Sequence, residues 1–581
     1  MTALQALPPH PHPWSALLMR GDVVFDDGVF RLRHVDTTPA QALEADLLLV
    51  ADALDAAGIT TTLIRHGRTS PALVVDAVER DAVLGVLRAL GQREPLYAKP
   101  AGAPVALAAD LDMTTTAASD GARSVRLFRP RISSAGSLRY DRESGFALEF
   151  WRRDGDLVHA PRANALTRRV FPAADVREAT IHRYGRSWST LEGMFDPQPD
   201  EVIDEIDLVF SWVDGSSSEF QRQRAAQMAG YVVGEGDESA ARYRHVDELR
   251  YALRSVHMYA PWVRRIFIAT DSPRPAWLAD DPRVTIVRSE EFFADPSVLP
   301  THNSHAIEAQ LHRIDGLAEH FLYSNDDMFF ARPVDPELFF TAGGVSKFVE
   351  CPIRIGTGEP LPHRSGHDNA LRVNRALLRE RFGRTIVRDL EHCATPLRRS
   401  VLSELESEFP DDFARTAASR FRSATDISVT NSLYHYYALM TGRAVVSTDA
   451  RVRYVQSTLA ASLRQMRRLE KRRDVDMFCL NDGGSSEVPE GLRIRTVRDT
   501  LERMFPVRAP WERPEVGIEA GGRSSAAQVD TAQVDAAHGG AAHGGAAQVS
   551  AAHGGAGQVS AAQVSAAQAP DASAEPIGAP R

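Results

Sequence analysis

Cysteine is nearly absent from this sequence: Cys351, Cys393 and Cys479 are the only three in 581 residues, and they stand far apart with no C-x-x-C pair. That scarcity excludes a disulfide framework, argues against a structural zinc site and predicts reduced, buried thiols. Long apolar runs are missing as well, since none approaches the roughly 20 residues needed to cross a bilayer. Residues 1–20 carry Pro8, His10, Pro11, His12 and Pro13 where a signal peptide needs a continuous apolar stretch. The expectation is a cytoplasmic protein without a transmembrane segment, with peripheral membrane contact left open. There is no surplus of positive charge either. Lys and Arg total 67 against 77 Asp and Glu, a formal net charge of -10, which argues against nucleic acid as the main partner.

What is present is the composition of an ordinary folded protein, 43% hydrophobic and 25% charged, in a chain longer than one core usually serves. After a flexible N-terminus, 1–22, residues 23–199 alternate short apolar runs with helical stretches. The pattern predicts helices over 40–57 and 78–90 and strands over 60–64, 124–128 and 145–151. This is a smaller α+β domain, and it holds no catalytic constellation. Pro197-Gln-Pro-Asp200 then makes a turn-rich break. From 203 to 513 helical and strand-like patterns alternate: strand 206–213, helix 246–258, strands 266–269 and 284–287, helix 304–313, strand 321–324. Such alternation predicts an α/β domain with a largely parallel sheet. Beyond 514 the chain becomes rich in Ala, Gly, Gln, Ser and Val, a low-complexity composition expected to be disordered. His538, His543 and His553 are spread along that tail and read as incidental rather than as metal ligands.

Chemistry-bearing residues lie at the ends of the predicted strands. The 206–213 strand runs into Asp214-Gly215, the place where open α/β sheets meet ligands, although Asp214 could equally serve a local turn. On the helix that follows, Asp247, Arg250 and Arg254 fall together opposite an apolar stripe, able to hold a phosphate or to form a solvated face. A spacing of four puts Glu308 and His312 side by side on a helix. The next strand leads directly into Asn325-Asp326-Asp327. Adjacent carboxylates after a buried strand repel each other and resist desolvation, so a bound cation is the simplest compensation. Magnesium suits a few carboxylate oxygens combined with substrate phosphates, and manganese is the alternative. His392 precedes a proline-marked helix start, Arg422 lies in Arg420-Phe-Arg-Ser423, and Asn481-Asp482 forms a second acidic turn.

Four separated blocks resemble the Stealth family of sugar phosphotransferases, which includes bacterial capsule enzymes and the lysosomal N-acetylglucosamine-1-phosphotransferase catalytic subunit. They are Ile206-Asp-Leu-Val-Phe-Ser-Trp-Val-Asp-Gly215; Arg242-Tyr-Arg through Asp247-Glu-Leu-Arg-Tyr-Ala-Leu-Arg-Ser255 and Ala260-Pro-Trp262 to Asn325-Asp-Asp327; the region from His392 to Tyr437; and Cys479-Leu-Asn-Asp482. The resemblance implies a glycosyltransferase-like (GT-A/Rossmann-like) nucleotide-sugar-binding domain. It also implies transfer of a sugar with its phosphate from a nucleotide sugar, UDP-linked, to a glycan hydroxyl, as in capsule or exopolysaccharide synthesis. By motif position, Glu308, Asp327, His392 and Arg422 look like the family's catalytic residues. Asp214, Gly215, Arg250, Arg254, Asn325, Asn481 and Asp482 fall to substrate binding, and Asp326 and Asp327 to a divalent metal. This chain departs from the family pattern at His302 and His305.

His392 is the first choice for the base, because imidazole titrates near neutrality, with Glu308 the alternative. A guanidinium at Arg422 suits phosphoryl oxygens. Two other functions share these features: a metal-dependent glycosyltransferase that attacks the sugar carbon, and a non-catalytic glycan-binding protein.

Overall fold

The longest strand-like run forms β1 (Ile206–Ser211), and its neighbours in one five-stranded sheet are β2 (Ile266–Ala269), β3 (Val284–Val287), β4 (His320–Asn325) and β5 (Thr395–Arg398). This computed structural model describes residues 14–34, 36–68, 70–111, 123–228, 246–482 and 486–514. The spatial order is β3-β2-β1-β4-β5, with β3, β2, β1 and β4 parallel and β5 antiparallel to β4. The chain therefore leaves β1 toward one edge of the sheet and returns on its other side as β4, so that the strand order reverses between them. A crevice opens beyond the carboxyl ends of strands at such a reversal.

Side-chain alternation explains why both faces of the sheet are covered. Ile206, Leu208, Phe210, Ile266, Ile268 and Leu322 enter one apolar cluster beneath the helix Glu248–Tyr259. Val209, Phe267, Phe321 and Tyr323 enter the opposite one, closed by residues of the helices Arg399–Glu408 and Tyr434–Met440. Asp207, in the middle of β1, is fully buried. It is neutralised by Arg264, whose Nε and Nη2 donate to its two oxygens at 2.8 and 2.6 Å, as a buried carboxylate requires.

Pro396 lies within β5 rather than at a helix start, and the helix begins only at Arg399. β5 is an edge strand, where a residue without an N–H breaks no ladder. The helix expected over 304–313 also stops early, at Glu308, and Leu311–Arg313 forms a separate tight turn. Beyond Glu308 the backbone shifts from Ala309 N–H bonded to His305 to Gln310 N–H bonded to Ile307, and the Gln310 side chain accepts from Ala294 N–H at 3.0 Å. His312 consequently turns away from Glu308 and bonds Glu406 at 2.8 Å.

Beyond the acidic turn the chain enters a second small sheet, Met328–Phe330 with Met477–Asn481 and Val452–Gln456. Met328 lies opposite Cys479, and Leu480 N–H donates to the Asp327 carbonyl at 2.9 Å. The two acidic turns of the sequence are thus neighbours.

The N-terminal part holds a four-stranded sheet and, separate from it, a mixed ten-stranded one. One face packs Leu63, Leu73 and Leu148 against the helices Pro39–Ala56 and Arg80–Gly91, and the other gathers Ile64, Ala72, Trp151 and Phe171. Ala42, Leu138 and Tyr140 join the apolar cluster of the α/β sheet, so the two parts share a core. The chain divides at Arg513, and of the second unit, Pro514–Arg581, only Pro514 is among the described residues. The expected disordered tail with His538, His543 and His553, the N-terminus through Pro13 and the Arg242-Tyr-Arg block lie outside them. Among the described residues no helix is long and apolar enough to cross a membrane.

Candidate active site

Register builds the first part of the site. Ser211 pairs with Asn325 across β1 and β4, and Tyr323, two residues back, shares the same sheet face. Ser211 Oγ and Tyr323 Oη lie 2.7 Å apart, and the Tyr323 hydroxyl donates to Asn325 Oδ1 at 2.9 Å. At 3.3 Å the same hydroxyl also reaches Glu308 Oε1. Glu308 is 2% exposed and accepts from Thr430 Oγ1 at 2.7 Å. Thr430 belongs to a π-helical turn, Val429–Leu433, whose extra residue per turn is a local irregularity common at functional sites. Burial pushes the Glu308 carboxyl above its ordinary range, opposed by the Thr430 hydrogen bond and the Arg422 charge.

Arg422 reaches the same centre. Its Nη2 donates to Ser304 Oγ at 2.9 Å, and its stem lies against Gly366, where an added Cβ would meet the Arg422 Cβ at 2.5 Å. Only glycine admits the arginine there. His392 completes the group: its ring centroid is 6.1 Å from His367 and 5.3 Å from Tyr454. Burial, then the charges of His367 and Arg422, push its imidazole down to about 4, well below the near-neutral range expected of it from the sequence, so His392 is neutral at pH 7. His367 Nε2 and Asp389 Oδ2 are 2.9 Å apart.

The acidic turn forms the second part. Asp327 Oδ2 accepts from the buried Cys479 thiol at 3.5 Å, while Oδ1 is buried with no hydrogen-bond partner among the described residues. Burial, with the charges of Glu248 and Asp482 added, raises this carboxyl to about 7 against the opposing Cys479 bond. A buried carboxylate oxygen without a donor, repelled by two further acids, suits a cation. Among the described residues no three His, Cys, Asp or Glu side chains already converge on one point. Few protein ligands suit a magnesium ion that keeps waters and substrate oxygens, so Asp326 and Asp327 fit such a group.

Other expected residues have partners of their own. Arg254 is buried, and it clamps Glu512 through Nε and Nη2 at 2.6 and 2.7 Å while Arg250 Nε takes the same carboxylate at 2.7 Å. A solvated face does not describe their position. Asp214 serves its own turn, accepting from Ser216 N–H at 3.0 Å and Ser216 Oγ at 2.6 Å, beside buried Gly215. Asp482 is held by Arg493 and Ser457, and Asn481 ends its strand with its carbonyl on Ser457 N–H at 2.8 Å. His302 stacks on Phe421 at 5.2 Å, edge-on to Phe220, and His305 is buried 3.9 Å from Asp426.

Reading the residues one by one missed Ser211, Ser304, Tyr323, Thr430, His367 and Asp389. Tyr323 and Asn325 do carry a signal, the two-residue period on a buried strand. The others come from distant segments and carry none.

Four family models, for Stealth protein conserved regions 1 to 4, match residues 204–232, 242–348, 391–439 and 467–516. A relative from Mycobacterium tuberculosis is 52% identical over 481 residues, covering 82% of this chain and 89% of its own length. The chain belongs to the Stealth family. That relative is called exopolysaccharide phosphotransferase CpsY. Exopolysaccharide phosphotransferases of Nocardia farcinica and Streptomyces coelicolor are 61% identical over 366 residues and 39% over 493, covering 63% and 82% of this chain and 72% and 84% of their own lengths. This Stealth protein is accordingly an enzyme, a transferase of phosphorus-containing groups. Glu308 and Asp327 fall in the second conserved region, His392, Arg422 and Thr430 in the third and Asp482 in the fourth. His367 and Asp389 fall between the second and third.

Proposed function

We propose that this Stealth protein transfers a sugar-1-phosphate from a nucleotide sugar, UDP-linked, to a carbohydrate hydroxyl in exopolysaccharide synthesis. The supporting observation is the gathering of Glu308, Arg422 and neutral His392 around the strand-order reversal that also carries Asn325, Asp326 and Asp327. A parallel sheet reversing between β1 and β4 is the layout on which nucleotides bind, which supports a Rossmann-like, GT-A-like donor domain. The names of the relatives support the polysaccharide product.

In this reading the acceptor oxygen attacks the sugar-linked phosphorus, the new P–O bond forms as the pyrophosphate bridge breaks, and the nucleoside monophosphate leaves. The acceptor proton passes to a ring nitrogen of His392, which carries none at neutral pH. Arg422 lays its guanidinium on phosphoryl oxygens, where charge grows in the transition state. Glu308, buried and bonded to Thr430 and Tyr323, orients the arginine and the Ser211-Tyr323-Asn325 chain. A divalent ion held by Asp326 and Asp327 would supply charge neutralisation for donor phosphates.

Identifying the nucleotide released from a panel of nucleotide sugars, with magnesium and glycan acceptors, tests the proposal. UMP with a phosphodiester product is expected. UDP with a glycosidic product would make the protein a glycosyltransferase, and glycan binding without donor turnover would make it a binding protein. His392→Ala is expected to lose turnover while still binding donor, and near-normal turnover removes His392 from the mechanism.

A further inference from the structure

We infer that His367 and Asp389 form a positioning pair for His392: Asp389 fixes the His367 ring beside that of His392, where a charge on one imidazole disfavours a charge on the other. This rests on the reading of His392 as the base. Neither residue belongs to the four conserved regions, since 349–390 separates the second from the third.

The geometry comes from two elements that meet beside His392. His367 stands in the first turn of the helix Gly366–Phe382, which Ser365 caps by accepting from Asp368 N–H at 3.2 Å. Asp389 lies in the strand Arg388–Leu390 and is 8% exposed. So buried a carboxylate needs partners to stay charged, and it has Leu390 N–H, which donates to Oδ1 at 2.8 Å, and His367 Nε2 at 2.9 Å from Oδ2. The remaining groups facing His367 are Asp368, which is turned to Arg372 at 2.5 Å, Arg422 and His392. Those facing His392 are His367, Asp389, Arg422 and Tyr454, with Glu391 its neighbour in the chain.

The two histidines are driven apart by this arrangement. Burial lowers His367, but the charge and hydrogen bond of Asp389 outweigh it and leave the imidazole above its ordinary value. Asp389, opposed by its own burial, is lowered in return by His367. His392 is lowered by burial first and by His367 second. Neighbouring titratable groups pushed in opposite directions divide the proton roles of a site. A protonated His392 could accept nothing from the incoming hydroxyl. The charge on His367 therefore widens, toward acid, the pH range in which the base is available.

The test compares the acid limb of kcat/KM, which reports the essential base of the free enzyme, with NMR titration of the ¹³C-labelled His392 ring in the full chain. Variants are His367→Gln, His367→Lys and Asp389→Asn. Unit charges about 6 Å apart at an effective dielectric of about 20 couple by more than one pKa unit is worth. His367→Gln should therefore raise both the acid limb and the His392 titration by about one pH unit or more, and Asp389→Asn, which also removes the carboxylate charge that favours a proton on His392, should raise both by less. His367→Lys, which keeps the cation, should return both toward the wild-type position. Activity lost equally at every pH, with the His392 titration unmoved in a folded His367→Gln protein, would reduce the pair to a structural role and overturn the inference. A moved titration with an unmoved acid limb would instead show that His392 is not the base, and the inference falls with that reading. UMP release is scored separately, so a wrong reaction type is distinguishable from a wrong role for His367.

Discussion

Asp327→Asn should stabilise the metal-free protein at neutral pH while abolishing turnover. The carboxyl is raised from 3.8 to about 7 in the folded chain. Between those values the native state holds a proton that the unfolded state has lost. Stability therefore falls as pH rises through this window, the reverse of an ion-paired aspartate. At 1.36 kcal/mol per unit, the loss completed above pH 7 comes to about 4 kcal/mol. Asparagine carries no charge to bury, so its unfolding midpoint should lack this decline. The assay is denaturant or thermal unfolding in chelator at pH 5 and pH 7.5, repeated with excess magnesium. Wild type should lose stability from pH 5 to 7.5 in chelator and regain it with magnesium, because an ion bound only to the folded state adds its binding free energy to stability. Asp327→Asn should be flat to both changes. If it proved less stable than wild type in chelator at pH 7.5, the orphaned Oδ1 would not be an uncompensated charge, and the case for a cation there would collapse.

Gly366→Ala should act through Arg422, because the new methyl would lie 2.5 Å from its Cβ and 2.8 Å from its Cδ. Displacing the guanidinium by about an ångström predicts a roughly 100-fold fall in kcat; unchanged kcat in a folded variant would detach Arg422 from the reaction. Glu512→Ala leaves Arg250 and Arg254 without their shared carboxylate, whose side chain is 1% exposed. The cost should be about 3–5 kcal/mol in unfolding experiments, because a broken buried pair strands its charges. Retained stability combined with weakened donor binding would instead place both arginines in the donor site.

Much of the α/β part was legible because buried parallel strands must be apolar along their whole length. The strands at 266–269 and 284–287 match the expected spans residue for residue, and the acidic turn after β4 stands where its sequence implied. Helix ends were less legible. The chain after Glu308 keeps helical periodicity, yet tertiary bonds at Gln310 and His312 stop the helix and separate two residues that a continuous helix would have paired. The partner of Arg250 and Arg254 was illegible for a related reason, since a polar flank is polar whether it meets solvent or a distant carboxylate. Glu512 lies more than 250 residues further along the chain.

The sequence alone determined the reduced cysteines, the alternation that builds the sheet, and the residues whose four-block pattern marks the family. Each depends on local spacing or on residue type. The tertiary structure decided which of those residues share a site. Tyr323, Thr430 and Arg422 come from separate elements to enclose Glu308, while His367 and Asp389 flank His392 from a helix and a strand. Such couplings act through space across low-dielectric packing and leave no periodic trace along the chain. Folding also turned Asp327, one carboxylate of an ordinary-looking turn, into a buried oxygen without a donor, and that is a property of its surroundings rather than of its type.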